Sequence, residues 1–184
     1  MMNDRIPHER LWRPGWAVAG LAAATLMFAG SGLAYAGAGD LNGAWIYIGG
    51  PAEEKARIAA VDKVTDRMNV FMKGKARGKL KERTAPPPMI RIHIEGSKLT
   101  LTGREGKALR IALGAPPMEV EGPKGKAKVS AKRVPDGFVV VSQGEKGGQR
   151  TTYQLKGDTL VAMVQMSGER LDGTLTYRMS FGRK

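Results

Sequence analysis

The sequence predicts a mainly β protein: an antiparallel up-and-down β-barrel of about 8–10 strands, with a helical segment between the first and second strands. Three observations carry that expectation. From Met89 onward, apolar residues alternate with polar ones at a period of two. Turn signals punctuate the alternation at intervals of about ten residues. Ahead of it stands one stretch with helical period, directly after a short strand-like run.

The chain of 184 residues opens with a leader pattern. Arg5, Arg10 and Arg13 precede an apolar run, Ala17 to Ala29, and small residues lead to Ala34-Tyr35-Ala36. That is the n-region, h-region and A-x-A cleavage site of a signal peptide over residues 1–36. The apolar run is shorter than the roughly 18–20 residues that span a bilayer. An uncleaved anchor is the alternative. With no cysteine after the h-region, lipid anchoring through Cys is excluded. The chain from Gly37 to Lys184 is expected to be one domain without a transmembrane segment, exported to the periplasm or secreted. Without cysteines it must rely on its core rather than on disulfides.

The first strand lies in "GDLNGAWIYIGG", around Trp45. Gly50-Pro51-Ala52-Glu53-Glu54 then reads as a helix start, with Pro in the first turn and two carboxylates at the positive end of the dipole. Ile58, Val61, Val64 or Thr65, Met68 and Phe71 or Met72 recur every three or four residues, one apolar stripe on a helix to about Lys73. Gly74 and Gly78 weaken the helix beyond that point, so the segment to Arg83 is a kinked continuation or a second short helix. The helical segment thus covers about 52–83, and Ala85-Pro86-Pro87-Pro88 ends it.

Ile90, Ile92 and Ile94 then alternate with Arg91, His93 and Glu95, and Gly96-Ser97 forms a hairpin turn. Leu99 and Leu101, Leu109 to Leu113, Met118 and Val120, and Ala127 to Ala131 continue the period. Pro135-Asp136-Gly137, Gly157-Asp158 and Asp172-Gly173 are turns between the strands at Phe138, Thr151, Leu160 and Thr174. Leu160 to Met166 is nearly continuous apolar, as for a strand buried on both faces. With no long crossover after Pro88, pairing must be antiparallel. Closure into a barrel removes unpaired edges.

Catalytic and metal chemistry find little footing. His93 is the sole histidine beyond residue 36, there is no Cys nucleophile, and no G-x-S-x-G elbow exists. One histidine without cysteine is too few ligands for a zinc site, so no metal, cofactor or enzyme is expected. Glu119 and Glu121 share a strand face, whereas glycosidase carboxylates converge from opposite sides of a substrate. The charge from Gly37 onward is +12. Lys73, Lys75, Arg77, Lys79, Lys81 and Arg83 form one basic run; Lys124, Lys126, Lys128, Lys132 and Arg133 form another. No aromatics interleave with the first run, against nucleic-acid binding. A solvated face explains these charges, or else an anionic lipid or envelope polymer docks on them.

Gly43-x-Trp45 on a first strand, ahead of a helical segment and a meander, resembles the lipocalin and fatty-acid-binding-protein (calycin) superfamily. The order of elements is closer to the fatty-acid-binding branch, with its helix-turn-helix lid between the first two strands. The resemblance implies a lipocalin-like barrel over 37–184 that binds a small apolar or amphipathic, lipid-like ligand. It implies barrel closure by Gly43 and Trp45, with Arg178 or Arg183 lying over the indole. That branch carries Arg-x-Tyr on its last strand for a carboxylate. Here Tyr177 and Arg178 are adjacent and face opposite sides of a strand, so the pair does not reproduce that site. The candidate ligand-binding residues are Tyr47, Ile92, Ile94, Leu109, Ile111, Val140, Tyr153, Val164, Tyr177, Arg178 and Met179. The alternative is an interaction module with a filled barrel and a basic docking surface.

Overall fold

The structure, a computed structural model, describes residues 40–103, 106–122 and 125–184. The leader of residues 1–36 and Lys124 lie outside the described residues. The first strand is β1 (Gly43–Tyr47), followed by helices α1 (Pro51–Thr65) and α2 (Val70–Thr84). Nine strands complete the chain: β2 (Met89–Glu95), β3 (Lys98–Thr102), β4 (Ala108–Ala112), β5 (Met118–Gly122), β6 (Gly125–Val134), β7 (Gly137–Gly144), β8 (Gly147–Lys156), β9 (Thr159–Gly168) and β10 (Leu175–Arg183).

The ten strands form one antiparallel sheet in the order β4-β3-β2-β1-β10-β9-β8-β7-β6-β5. The short turns make sequence neighbours pair, and β1 joins the first and last strands of the meander. The two ends of the sheet, β4 and β5, are consecutive in sequence but are not hydrogen-bonded to each other. Their linker approaches β6 instead: Gly114 N donates to Ala131 O at 2.8 Å. Arg133 Nη2 also donates to Gly96 O at 2.8 Å. The barrel is therefore nearly closed, and best closed at the end that holds the turns at Gly96 and Pro135.

Trp45 is fully buried near that end. Its Nε1 donates to Leu41 O at 3.0 Å, which satisfies the indole's one donor. The Arg183 guanidinium lies 5.1 Å from the ring centroid and donates to Asp40 O. Arg183 is the register partner of Trp45 across β1 and β10. Gly43 holds φ +133°, a conformation open to glycine, with no atom near a notional Cβ. Its need is thus conformational rather than spatial.

The helical segment is two helices, not one stripe. α1 ends at Thr65, and Asn69 caps α2 by accepting from Phe71 N at 3.1 Å. The expected stripe holds for Val61 and Val64, which join the barrel core, and then fails. Phe71 and Met72 sit on α2 and are exposed, because the Asp66–Asn69 turn resets the helical phase. β9 shows its expected two-sided burial only at Leu160, Val161 and Ala162, where Val161 is buried on the outer face; beyond it Met163 and Gln165 face solvent, while Val164 and Met166 are buried.

Trp45→Ala removes a fully buried anchor and its hydrogen bond, so it should cost about 3–5 kcal/mol in urea denaturation. A loss below about 1 kcal/mol would contradict the role of the indole as the plug of this end.

Candidate functional site

The barrel interior is filled unevenly. The large inward side chains cluster around β1, β9 and β10: Trp45, Leu160, Leu175, Tyr177, Met179 and Phe181 are all buried. Tyr47 packs edge-on against Phe181, with ring centroids 5.8 Å apart. On the opposite wall, β6, β7 and β8 contribute smaller groups, among them Ala127, Val129, Ser142 and Thr151. A cavity of about 330 Å³ lies there. Its other walls are Leu101, Leu109, Val120, Val140, Gln149 and Tyr153. Small side chains on this wall leave space that the large ones opposite do not reach.

The polar groups of this cavity are neutral. Gln149 Nε2 donates to Thr151 Oγ1 at 3.1 Å. Tyr153 stacks on Phe138, with centroids 4.8 Å apart. Burial, and next the neighbouring Tyr177, push its phenol well above the ordinary value, so it stays protonated.

At the helix end the cavity meets a vestibule of about 580 Å³, with which it shares Ala127, Ser142 and Gln149. Leu80 and Leu171 form apolar parts of its wall, and Arg83, Lys126, Lys146, Arg170, Glu145 and Glu169 supply charge. The start of β6 and the turns β7–β8 and β9–β10 frame it.

The lid is tied down by buried chemistry. Arg57 is 5% exposed. Its Nε and Nη2 donate to the two Glu54 carboxylate oxygens at 3.0 and 2.5 Å. Its Nη1 donates to Lys81 O at 2.9 Å and Thr84 Oγ1 at 2.7 Å. One guanidinium thus joins α1 to a carbonyl and a hydroxyl in the last turn of α2, where a cation complements the dipole. Glu53 fastens the other end of α1. Its carboxylate accepts from Ser180 N at 3.0 Å and Ser180 Oγ at 2.5 Å, and lies 3.4 Å from Arg178 Nε.

Of the candidate ligand residues, Leu109, Val140 and Tyr153 line the cavity. Ile92, Ile111, Val164, Tyr177 and Met179 are buried in the core, with Ile94 and Tyr47 packed against it. Arg178 is corrected: it points outward, half-exposed, and pairs with Glu53 rather than lining the interior or covering Trp45. Strand alternation decides this, because the neighbouring Tyr177 takes the inward position. His93 and Arg91 are exposed. Sequence reasoning missed Leu101, Val120, Ala127, Val129, Ser142, Gln149 and Thr151 as cavity residues. Their signal was the same alternation, read for small or polar residues at inward positions.

The basic run is partly neutralised within the lid. Lys73 lies 2.9 Å from Asp66, and Arg77 lies 3.0 Å from Asp62 and 3.4 Å from Asp66. Lys75 and Lys79 have no ion pair among the described residues. Glu119 lies 3.6 Å from Lys126. No group of three or more metal-ligating side chains occurs among the described residues, and no described helix is long and apolar enough to cross a membrane.

No family model matches the chain, and no curated protein does. Solved structures do. A REP1-NXSQ fatty acid transporter matches with TM-score 0.51 and 15% identity, covering 79% of this chain and 96% of that one. Lipid binding protein 8 of Caenorhabditis elegans matches with TM-score 0.51 and 13% identity, over 78% and 94% of the chains. A secretory abundant heat soluble protein of Ramazzottius varieornatus gives 0.51 and 9%, over 78% and 95%. The fold is calycin-like: a nearly closed barrel of ten antiparallel strands with a two-helix cap after the first.

The Glu54 carboxyl is held below its ordinary value of 4.5, first by the hydrogen bonds from Arg57. Asp66 is held below 3.8, first by its hydrogen bond from Lys73. A depressed folded-state pKa means that the unfolded chain binds the proton more readily. The stabilisation is therefore fully present above these ordinary values and is lost as pH falls through the lower folded ones. Glu54→Gln should lose less stability than the parent between pH 6 and pH 3, read as urea midpoints. Equal losses would show that Glu54 is not linked to folding.

Proposed function

We propose that this chain is an exported lipocalin-like binding protein that holds a small apolar or amphipathic, lipid-like molecule inside its barrel. The observation that carries the reading is the cavity at Leu101, Val129 and Tyr153, open to a vestibule under the lid. A barrel that served only as a structural module would gain from filling that space, since each missing contact forfeits dispersion energy. Burial of ligand surface contributes about 25 cal/mol per Å² of apolar area, and the neutral hydroxyls and amide can orient a polar atom. The fold is shared with proteins described as a fatty acid transporter and a lipid binding protein. The leader over 1–36 supports a periplasmic or secreted location. In this reading the chain is a binding protein rather than an enzyme and holds its ligand without metal or cofactor.

Delipidated protein should bind a fluorescent apolar probe such as cis-parinaric acid saturably. Ala127→Phe places a ring in the cavity and should weaken that binding about tenfold or more, with the thermal midpoint held within a few degrees. Parent protein that fails to bind any such probe would count decisively against the reading.

A second reading is favoured by one surface. Val70, Phe71 and Met72 are 83%, 92% and 51% exposed at the start of α2. Lys75 and Lys79 come next on the same helix. Apolar side chains beside lysines suit the surface of an anionic membrane, where each cation adds up to about 1 kcal/mol. Here the basic run serves docking while the barrel carries its ligand. Phe71→Ser should reduce co-sedimentation with phosphatidylglycerol vesicles severalfold, and high salt should do the same. Unchanged sedimentation of the variant would remove the support for this surface.

A further inference from the structure

We infer that the cavity receives a single-chain amphiphile tail-first, with an anionic head group held at the helix-end mouth by Arg83, Lys146 and Arg170. The inference rests on the ligand-binding function proposed for the barrel and adds the charge and direction of the ligand.

Among the described residues, no Lys, Arg, Asp or Glu lines the inner cavity. Two arginines sit at inward register positions of the barrel, Arg133 opposite Phe138 and Arg183 opposite Trp45. Both lie at the Trp45 end and are already engaged. Arg133 donates to Gly96 O, and Arg183 covers the indole and donates to Asp40 O. An anion pushed to the bottom of this cavity would lose its hydration and meet neutral groups only. Such burial is strongly unfavourable without a paired cation. An alkyl tail meets Leu101, Val120, Val129 and Val140 there at no such cost.

The mouth has the opposite character. Among the described residues, three cations, Arg83, Lys146 and Arg170, face two carboxylates, Glu145 and Glu169, around the vestibule. Arg83, Lys146 and Arg170 have no ion pair among the described residues. Lys126 is turned to the outer face of β6 by strand alternation and lies 3.6 Å from Glu119 there. The vestibule shares wall residues with the inner cavity, so one molecule can occupy both. A head group placed here keeps part of its hydration and gains attraction from several directions. The orientation is thus tail toward β6 and β7, head toward the turns β7–β8 and β9–β10.

Two measurements test the orientation and the charge. Isothermal titration compares laurate with dodecanol on the parent and on the R83Q/R170Q double variant. Laurate binding should fall about fivefold to tenfold in the variant and weaken with added salt, whereas dodecanol should change less than about twofold. Methyl NMR with nitroxide stearates reads the direction. A label at carbon 16 should broaden Val129 and Val140 most, and one at carbon 5 should broaden Leu80 and Leu171 most. Reversed broadening, or laurate affinity untouched by the double variant, overturns the inference while leaving the proposed binding function intact. If neither laurate nor dodecanol binds the parent, that function itself falls, and the inference with it.

Discussion

The constraint on which the rest of the structure depends is the early end of β1. The strand has five residues and leaves the sheet after Tyr47, while its neighbour β10 continues for most of a barrel height. A bare stretch of β10 edge would result, with donors to satisfy. Ile48 N still donates to Ser180 O at 2.9 Å, and then Glu53 takes over. Its carboxylate accepts the Ser180 N–H that a longer β1 would have bonded. This substitution fixes the first turn of α1 against the barrel, and it leaves no space at Gly49. A Cβ on Gly49 would come within 2.3 Å of both the Glu53 carboxylate and the Tyr47 hydroxyl. The lid is anchored there, and the Arg57 bridge then carries the constraint from α1 to α2.

That anchoring decides where the barrel can be open. α1 lies over β10, so Val61 and Val64 close the same side that Trp45, Phe181, Tyr177 and Met179 fill. The other side receives only Leu80 from α2, beside Leu171 of the β9–β10 connection. Ala127, Ser142 and Thr151 stand on that side, where larger groups would have completed the core. The cavity arises from two causes acting on one wall: small inward residues, and a lid pinned to the opposite edge.

Much of this was legible in the sequence. Alternation from Met89 placed nearly every inward residue, because a strand has only two faces. Turns such as Pro135-Asp136 and Gly157-Asp158 marked the hairpins, since each needs a residue that tolerates positive φ, and Asp136 and Gly157 adopt it. Gly43-x-Trp45 pointed to the closed end. What was illegible depends on volume and on distant pairing. Alternation says that Tyr177 and Val129 both face inward, but not that one fills its space and the other leaves it empty. The Glu53–Ser180 contact joins residues 127 apart in sequence and has no local signature. Periodicity likewise carried the α1 stripe into Phe71, because the turn at Asp66–Asn69 contains neither Gly nor Pro to announce a break.

The charges complete the asymmetry. Alternation drives the lysines of β6 outward, and β2 likewise exposes Arg91 and His93. Two inward arginines escape this rule, and both sit at the Trp45 end, where carbonyls and the indole absorb them. They help seal that end. At the helix end the cations stand on turns and on the last turns of α2, which no alternation governs. They are left facing a vestibule instead of a packed core. A neutral interior between a sealed end and a positively charged, open one gives the barrel a direction. A ligand of the proposed kind would be sorted along that axis, its apolar part toward the wall of β6 to β8 and any negative charge toward the mouth.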